Sequence, residues 1–209
     1  KGVIDNCASN TGHTGTVTIV KEGSGYWRLT GANIYKGTTT IEGGKLIVNG
    51  SHNGGSYYYV KDGATLAGSG TISAPVNVQS GGTILAGDSL ISFSAVLKLT
   101  GNLTVSKGAV EFPLYNSGTS VRNSRISVGG KLTLNNATLR LNMDQAQEIP
   151  DGTELKLFSA IGSTSGNGFT SIEPERPSPT QKWDTSTLLT DGKLRIVKDE
   201  TVDAIQDVR

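Results

Sequence analysis

The stretch YWRLTGANIYKGTTTIEGGKLIVNG, residues 26–50, decides the fold. At period two, Trp27 and Leu29 fall on one face and Tyr26, Arg28 and Thr30 on the other, the alternation of a half-buried strand. GANIYKG (31–37) breaks that strand, and a second runs from Thr38 to Ile41. Glu42-Gly43-Gly44 turns the chain, and Leu46 to Val48 makes a third. Three short strands within this one stretch, divided by glycine-rich corners and without helical period, leave room only for narrow coils.

The same corner and strand return down the chain, as GGKLIV (43–48), DGATLAG (62–68), GGTILAG (81–87), GNLTV (101–105), GGKLTL (129–134), DGTELKLF (151–158) and DGKLRIV (191–197). Gly43, Gly63, Gly82 and Gly101 follow one another at nearly equal intervals. A fixed period of roughly 20 residues marks a solenoid, in which no coil buries its own apolar face and stability is a sum over neighbours. Inward Leu, Ile and Val should stack into columns at about 4.8 Å per coil. Each such side chain, fully buried, contributes roughly 1.5–3 kcal/mol. Roughly nine coils would make a rod on the order of 45 Å long.

Residues Gly25, Trp27, Leu29, Thr30, Gly31, Asn33, Tyr35, Gly37, Thr39, Ile41, Gly44 and Leu46 follow the pattern G-x-W-x-L-T-G-x-N-x-Y-x-G-x-T-x-(I/V)-x-x-G-x-L. In this the chain resembles the autotransporter-associated β-strand repeat, or passenger-associated transport repeat, of secreted bacterial proteins. Downstream, Trp183-Asp184-Thr185-Ser186 and Gly192-Lys193-Leu194 look like the end of such passenger regions. The resemblance implies an all-β, single-stranded, right-handed parallel β-helix of the pectin-lyase-like kind. It also implies a surface-exposed or secreted protein of a Gram-negative bacterium, associated with the outer membrane, and a stalk or transport aid without catalysis.

Composition agrees with many strands and tight corners. Gly is 28 of 209 residues, charged residues are 18% and aromatics 6%, too little charge for a disordered chain. A net charge of +1 points to no nucleic acid and no acidic partner. The lone Cys7 excludes an internal disulfide and a zinc cluster. No run approaches the ~18 apolar residues of a membrane-spanning helix. A chain opening on Lys1 reads as part of a longer product, so its partners should include flanking domains of the same polypeptide.

The expected organisation is an irregular lead-in over 1–15, the tail of an earlier coil. The β-helix coils should then occupy 16–160, with a long loop and closing strands over 161–198 covering one end, and a polar tail over 199–209. Residues 113–125 should bulge as a loop, MDQAQEIPDG (143–152) should allow one helical turn, and Thr187–Leu189 should pair with Leu194–Val197.

Polysaccharide lyases and hydrolases built on β-helices need clustered carboxylates for calcium or acid–base work. Between residues 30 and 140 the acids are Glu42, Asp62, Asp88 and Glu111. Glu42 and Asp62 should stack on successive coils, but Ser80 halts that ladder, and Asp-Gly and Glu-Gly are ordinary turn pairs. His13 and His52 lie in no nucleophile motif. Nothing in the pattern calls for a catalytic residue, a metal or a cofactor.

Aromatic residues are the better binding candidates, because exposed rings stack on sugars. Tyr57, Tyr58 and Tyr59 alternate and leave at least one ring near solvent, so together with Tyr35 they are the candidate glycan contacts. Trp27 should face the core with Leu29 as part of the structural motif, alongside Gly31, Asn33, Gly37, Gly44 and Leu46. Trp183 should pin the Pro-rich loop before it to the body. The function expected from all this is a non-catalytic stalk or passenger segment aiding export and display. A carbohydrate-binding or adhesive module facing a glycan or host surface is the alternative, and a lyase-type enzyme fragment ranks below both.

Overall fold

A computed structural model describes residues 2–5, 15–89, 93–117, 120–143 and 149–201. The chain winds as a right-handed parallel β-helix of three faces, taking one strand from each face per coil. The first coil contains β1 (Ile19–Lys21), β2 (Tyr26–Leu29) and β3 (Ala32–Asn33). The second has β4 (Thr39–Ile41), β5 (Lys45–Val48) and β6 (Ser51–His52), and the third β7 (Tyr58–Val60), β8 (Thr65–Gly68) and β9 (Thr71–Ile72). The fourth has β10 (Val76–Val78), β11 (Thr83–Ala86) and β12 (Val96–Leu99). The fifth begins with β13 (Leu103–Ser106) and β14 (Ala109–Asn116), from which β15 (Val121–Asn123) folds back. Next come β16 (Arg125–Asn135), which bends from the third face onto the first, and β17 (Ala137–Met143). After β18 (Glu154–Lys156), β19 (Phe158–Gly166) bends in the same way and β20 (Phe169–Glu173) ends the second face. β21 (Gln181–Asp184) and β22 (Lys193–Lys198) close the fold.

Register accounts for the core. On the second face Trp27, Leu46, Leu66, Ile84, Val110, Leu139 and Ile172 stand in one column. On the first face Lys21, Ile41, Val60, Val78, Val105 and Leu134 do the same. On the third the column is Asn33, His52, Ile72, Leu99, Val128 and Ile161. The interior is therefore apolar through the later coils and polar at the start, where Lys21, Asn33, Thr39 and His52 are all buried.

Several expectations change. The short, regular coil holds only at the beginning. On the first face Ile19, Thr39, Tyr58 and Val76 stand on successive rungs, separated by steps close to the expected period. The steps then lengthen, from Val76 to Leu103, from Leu103 to Leu132, and from Leu132 to Thr164. The later coils are longer because more residues separate β11 from β12, β14 from β16 and β17 from β19. Gly82 and Gly101 thus precede different faces, and their spacing is not a repeat. Among the described residues the second face has seven rungs rather than nine. Within the expected loop 113–125, β14 and β15 pair antiparallel, with Leu114 opposite Asn123 and Asn116 opposite Val121.

Residues 161–173, expected to open a long loop, continue the coil as β19 and β20, so the loop shrinks to 174–180. Thr187–Leu189 is a turn, and β22 pairs with β18 and β21 in an antiparallel sheet. That sheet covers the end of the helix through Leu155, Leu188, Leu194 and Ile196, all buried in the main core. Residues 144–148 of the expected helical turn and most of the polar tail, and with them Cys7 and His13, lie outside the described residues. Among the described residues no helix is long and apolar enough to cross a membrane.

The described part of the lead-in, residues 2–5, is irregular but lies against β3. Ile34 donates its backbone N–H to Ile4 at 3.0 Å, repeating the bonds from Asn53 to Asn33 and from Ser73 to His52. A glycine ladder runs beside it. A Cβ on Gly31 would lie 2.2 Å from the Gly2 oxygen, one on Gly50 2.2 Å from the Gly31 oxygen, and one on Gly70 2.0 Å from the Gly50 oxygen.

Candidate functional site

The tyrosines divide by strand parity. Tyr58 follows the inward positions of β7 and is fully buried, while Tyr59 between Tyr58 and Val60 points outward. Tyr35, in the link from β3 to β4, is also fully buried. Tyr35 and Tyr58 are therefore removed from the glycan candidates, because both rings lie inside the solenoid. There they join Thr39 and His52. The Tyr35 hydroxyl lies 2.6 Å from Thr39 Oγ1 and 3.3 Å from the Tyr58 hydroxyl. His52 Nδ1 lies 2.7 Å from the Tyr58 hydroxyl and Nε2 2.8 Å from the Tyr35 carbonyl oxygen. The imidazole stacks on Tyr35 with centroids 3.9 Å apart. Burial raises the Tyr35 hydroxyl above the usual phenol range and the Tyr58 hydroxyl far above it, and lowers the His52 imidazole.

Tyr57 and Tyr59 remain outside. Their centroids are 5.6 Å apart with planes within 16°, and Lys61 Nζ lies over Tyr59 at 5.8 Å from its centroid. Tyr57 is 45% exposed.

Trp27 is a correction. Its register opposite Leu46 gives it the inward direction that the alternation requires, yet it is 48% exposed and Leu29 only half-buried. The reason is position, since Trp27 heads its column and no described rung stands above it. Lys21 Nζ lies 5.9 Å from its ring centroid. The rest of the motif is structural. Asn33 Oδ1 accepts the Ile4 N–H at 3.0 Å and Nδ2 donates to the Gly31 oxygen at 3.3 Å. A Cβ on Gly37 would meet the Val17 oxygen at 2.2 Å, Gly44 sits at φ +61°, and Leu46 is fully buried. Trp183 donates Nε1–H to the Pro174 carbonyl at 2.9 Å, tying loop 174–180 to the end sheet.

Sequence reasoning misses the burial of Lys21 and His52. The available signal is that Lys21 shares the parity of Ile19 in TVTIVK. Its ammonium donates to the carbonyls of Glu22, Gly23 and Gly43 at 2.6, 2.9 and 3.0 Å.

The four acids do not converge. Asp88 pairs with Arg28 at 3.5 Å and accepts from Asn49, while Glu111 accepts from Asn142 at 3.0 Å. Glu42 and Asp62 are out of step. Glu42, Lys61 and Gln79 each donate to the last residue of the preceding rung, so Glu42 is equivalent to Lys61 and not to Asp62. Among the described residues no three of His, Cys, Asp and Glu group as a metal site. A cleft of about 630 Å³ between β20 and β21 is lined by Phe169, Trp183, Arg176 and Lys182, with both cations on Asp199.

Residues 19–48, the coil that carries this motif, match the model of the passenger-associated transport repeat. Over 160 residues, 75% of its length, the chain is 32% identical to the adhesin BmaC autotransporter of Brucella suis biovar 1 (strain 1330). It spans 5% of that relative's length. With the buried Asn33, Tyr35 and Thr39 at the motif's positions, the coil at residues 19–48 is a passenger-associated transport repeat.

Proposed function

We propose that the chain is a non-catalytic stalk segment of an autotransporter passenger, displayed at the surface of a Gram-negative cell and assisting its own export. The observation that carries this reading is the polarity of the rod. At one end Trp27 stands half-exposed over a polar interior. At the other, the antiparallel sheet of β18, β22 and β21 covers an apolar core. An end closed in this way can fold without a neighbour and present a row of strand edges, onto which upstream coils add one rung at a time. Flanking domains of the same polypeptide are the partners this geometry suits.

The test is limited proteolysis of the whole chain with mass-spectrometric mapping. The expected early product begins after β11, near segment 87–95, and keeps the end sheet. Persistence of the first three coils with early loss of β18–β22 would overturn the reading. Incubation with pectins and other uronic-acid polymers should release no new chain ends, with or without calcium.

A further inference from the structure

We propose that Tyr57, braced by Tyr59 and Lys61, is the stacking ring of a binding strip for a neutral, linear saccharide on the outer first face of the helix. The inference deepens the passenger reading, on which it rests for an extracellular setting. Tyr57 keeps 45% of its surface exposed although its neighbour Tyr58 is fully buried. Tyr59 lies nearly parallel behind it, and the Lys61 ammonium sits over Tyr59, so the ring is held in place before any ligand arrives. A ring already ordered loses little entropy on binding.

The rungs on either side supply hydrogen-bonding groups. Tyr59 stands between Thr40 and Asn77, and the backbone bonds place Gln79 one rung beyond Lys61. Thr40, Asn77 and Gln79 take outward, half-buried positions, so a hydroxyl and two amides offer both donors and acceptors on this face. That complement suits the hydroxyls of a sugar whose apolar face lies on Tyr57.

Charge decides the class of saccharide. Glu42 holds the place equivalent to Lys61 on the preceding rung, with Glu22 one rung further, so two carboxylates face one ammonium along this column. Such a balance favours a neutral chain over a uronic or sialylated one.

The test is isothermal titration of the full chain with cellohexaose, xylohexaose and chitohexaose, with hexagalacturonate as the acidic probe. The parent should bind at least one neutral chain weakly but saturably. Tyr57→Ala should bind about ten-fold more weakly or not at all. Tyr57→Phe should keep most of the affinity, and Asn77→Ala should lose part of it. Tyr115→Ala, at an exposed tyrosine on β14, should bind like the parent, and all variants should melt with the parent. Binding unchanged in Tyr57→Ala would overturn the proposal. So would failure of every neutral chain, or binding of hexagalacturonate alone. None of these outcomes touches the proteolysis result on which the stalk reading depends.

Discussion

The Tyr58 hydroxyl donates a hydrogen bond to Nδ1 of His52 across 2.7 Å, inside the helix. The direction follows from the other ring nitrogen. Nε2 lies 2.8 Å from the Tyr35 carbonyl oxygen, which can only accept, so Nε2 carries the hydrogen and Nδ1 is the acceptor. Protonating His52 would reverse the Tyr58 bond and place a cation in a cluster where no carboxylate is in contact among the described residues.

The pH dependence follows from this. Burial lowers the folded-state affinity of His52 for a proton below that of the unfolded chain. The unfolded state therefore takes up a proton first, and stability falls as pH drops below about 6.5, by at most about 1.4 kcal/mol per pH unit. Glu154, Asp184 and Asp199 are lowered as well, by bonds from Lys193, Ser186 and Thr201 respectively. Because carboxyls titrate in a lower range, their contributions are complete above about pH 5 and are lost only as the pH falls further. Denaturant melts at pH 7.5 and 5.0 should show a loss for the parent that is absent in His52→Gln. Equal losses in both would place the acid sensitivity elsewhere.

Trp27 and Leu66 share one column but not one environment. Trp27→Ala should cost about 1–2 kcal/mol, because half of the ring is already in water. Leu66→Ala, emptying a site fully enclosed in the third coil, should cost about 2–5 kcal/mol. Chemical denaturation of both variants checks the order. A larger loss at Trp27 would mean that the ring is covered.

Gly50 has no room for a side chain. An added Cβ would lie 2.2 Å from the Gly31 oxygen and 2.6 Å from the Thr30 carbonyl carbon. Gly50→Ala must push two rungs apart and should cost about 3 kcal/mol or more, in the tail of single substitutions. Gly152 has positive φ, at +80°, but open space around it. Gly152→Ala should cost only about 1–2 kcal/mol, from backbone conformation alone. Comparable melting temperatures for the two variants would contradict the ladder.

Lys21→Met keeps the stem and removes the three bonds to Glu22, Gly23 and Gly43. The expected loss is about 1–3 kcal/mol. Hydrogen exchange should accelerate in β1, β2 and β4 while the amides of β22 stay protected. Uniform acceleration along the rod would show that the coils unfold as one unit.

How much of this is legible in the sequence follows from which interactions are local. Alternation in YWRLT points Trp27 inward, and alternation in TVTIVK gives Lys21 the parity of Ile19, because side-chain direction in a strand depends only on parity. Corner glycines such as Gly44 are visible for a similar reason, since a left-handed backbone turn is set within a few residues. The motif residues Asn33 and Tyr35 are readable as pattern but not as place. Neither residue's neighbours in sequence reveal that Tyr35 meets His52, 17 positions away.

From residue order alone come most of the strands, their inward and outward faces and the parallel solenoid, all consequences of parity and of turns closed within a few residues. Only the tertiary structure decided which side chains have a described rung stacked over them. That single fact leaves inward-pointing Trp27 half in water while Leu46, its partner in register, is fully buried. The stacking register was decided there too. A difference of one position at a corner makes Lys61, and not Asp62, the counterpart of Glu42. Pairing between coils depends on the lengths of every intervening corner, and no short stretch of sequence contains that sum.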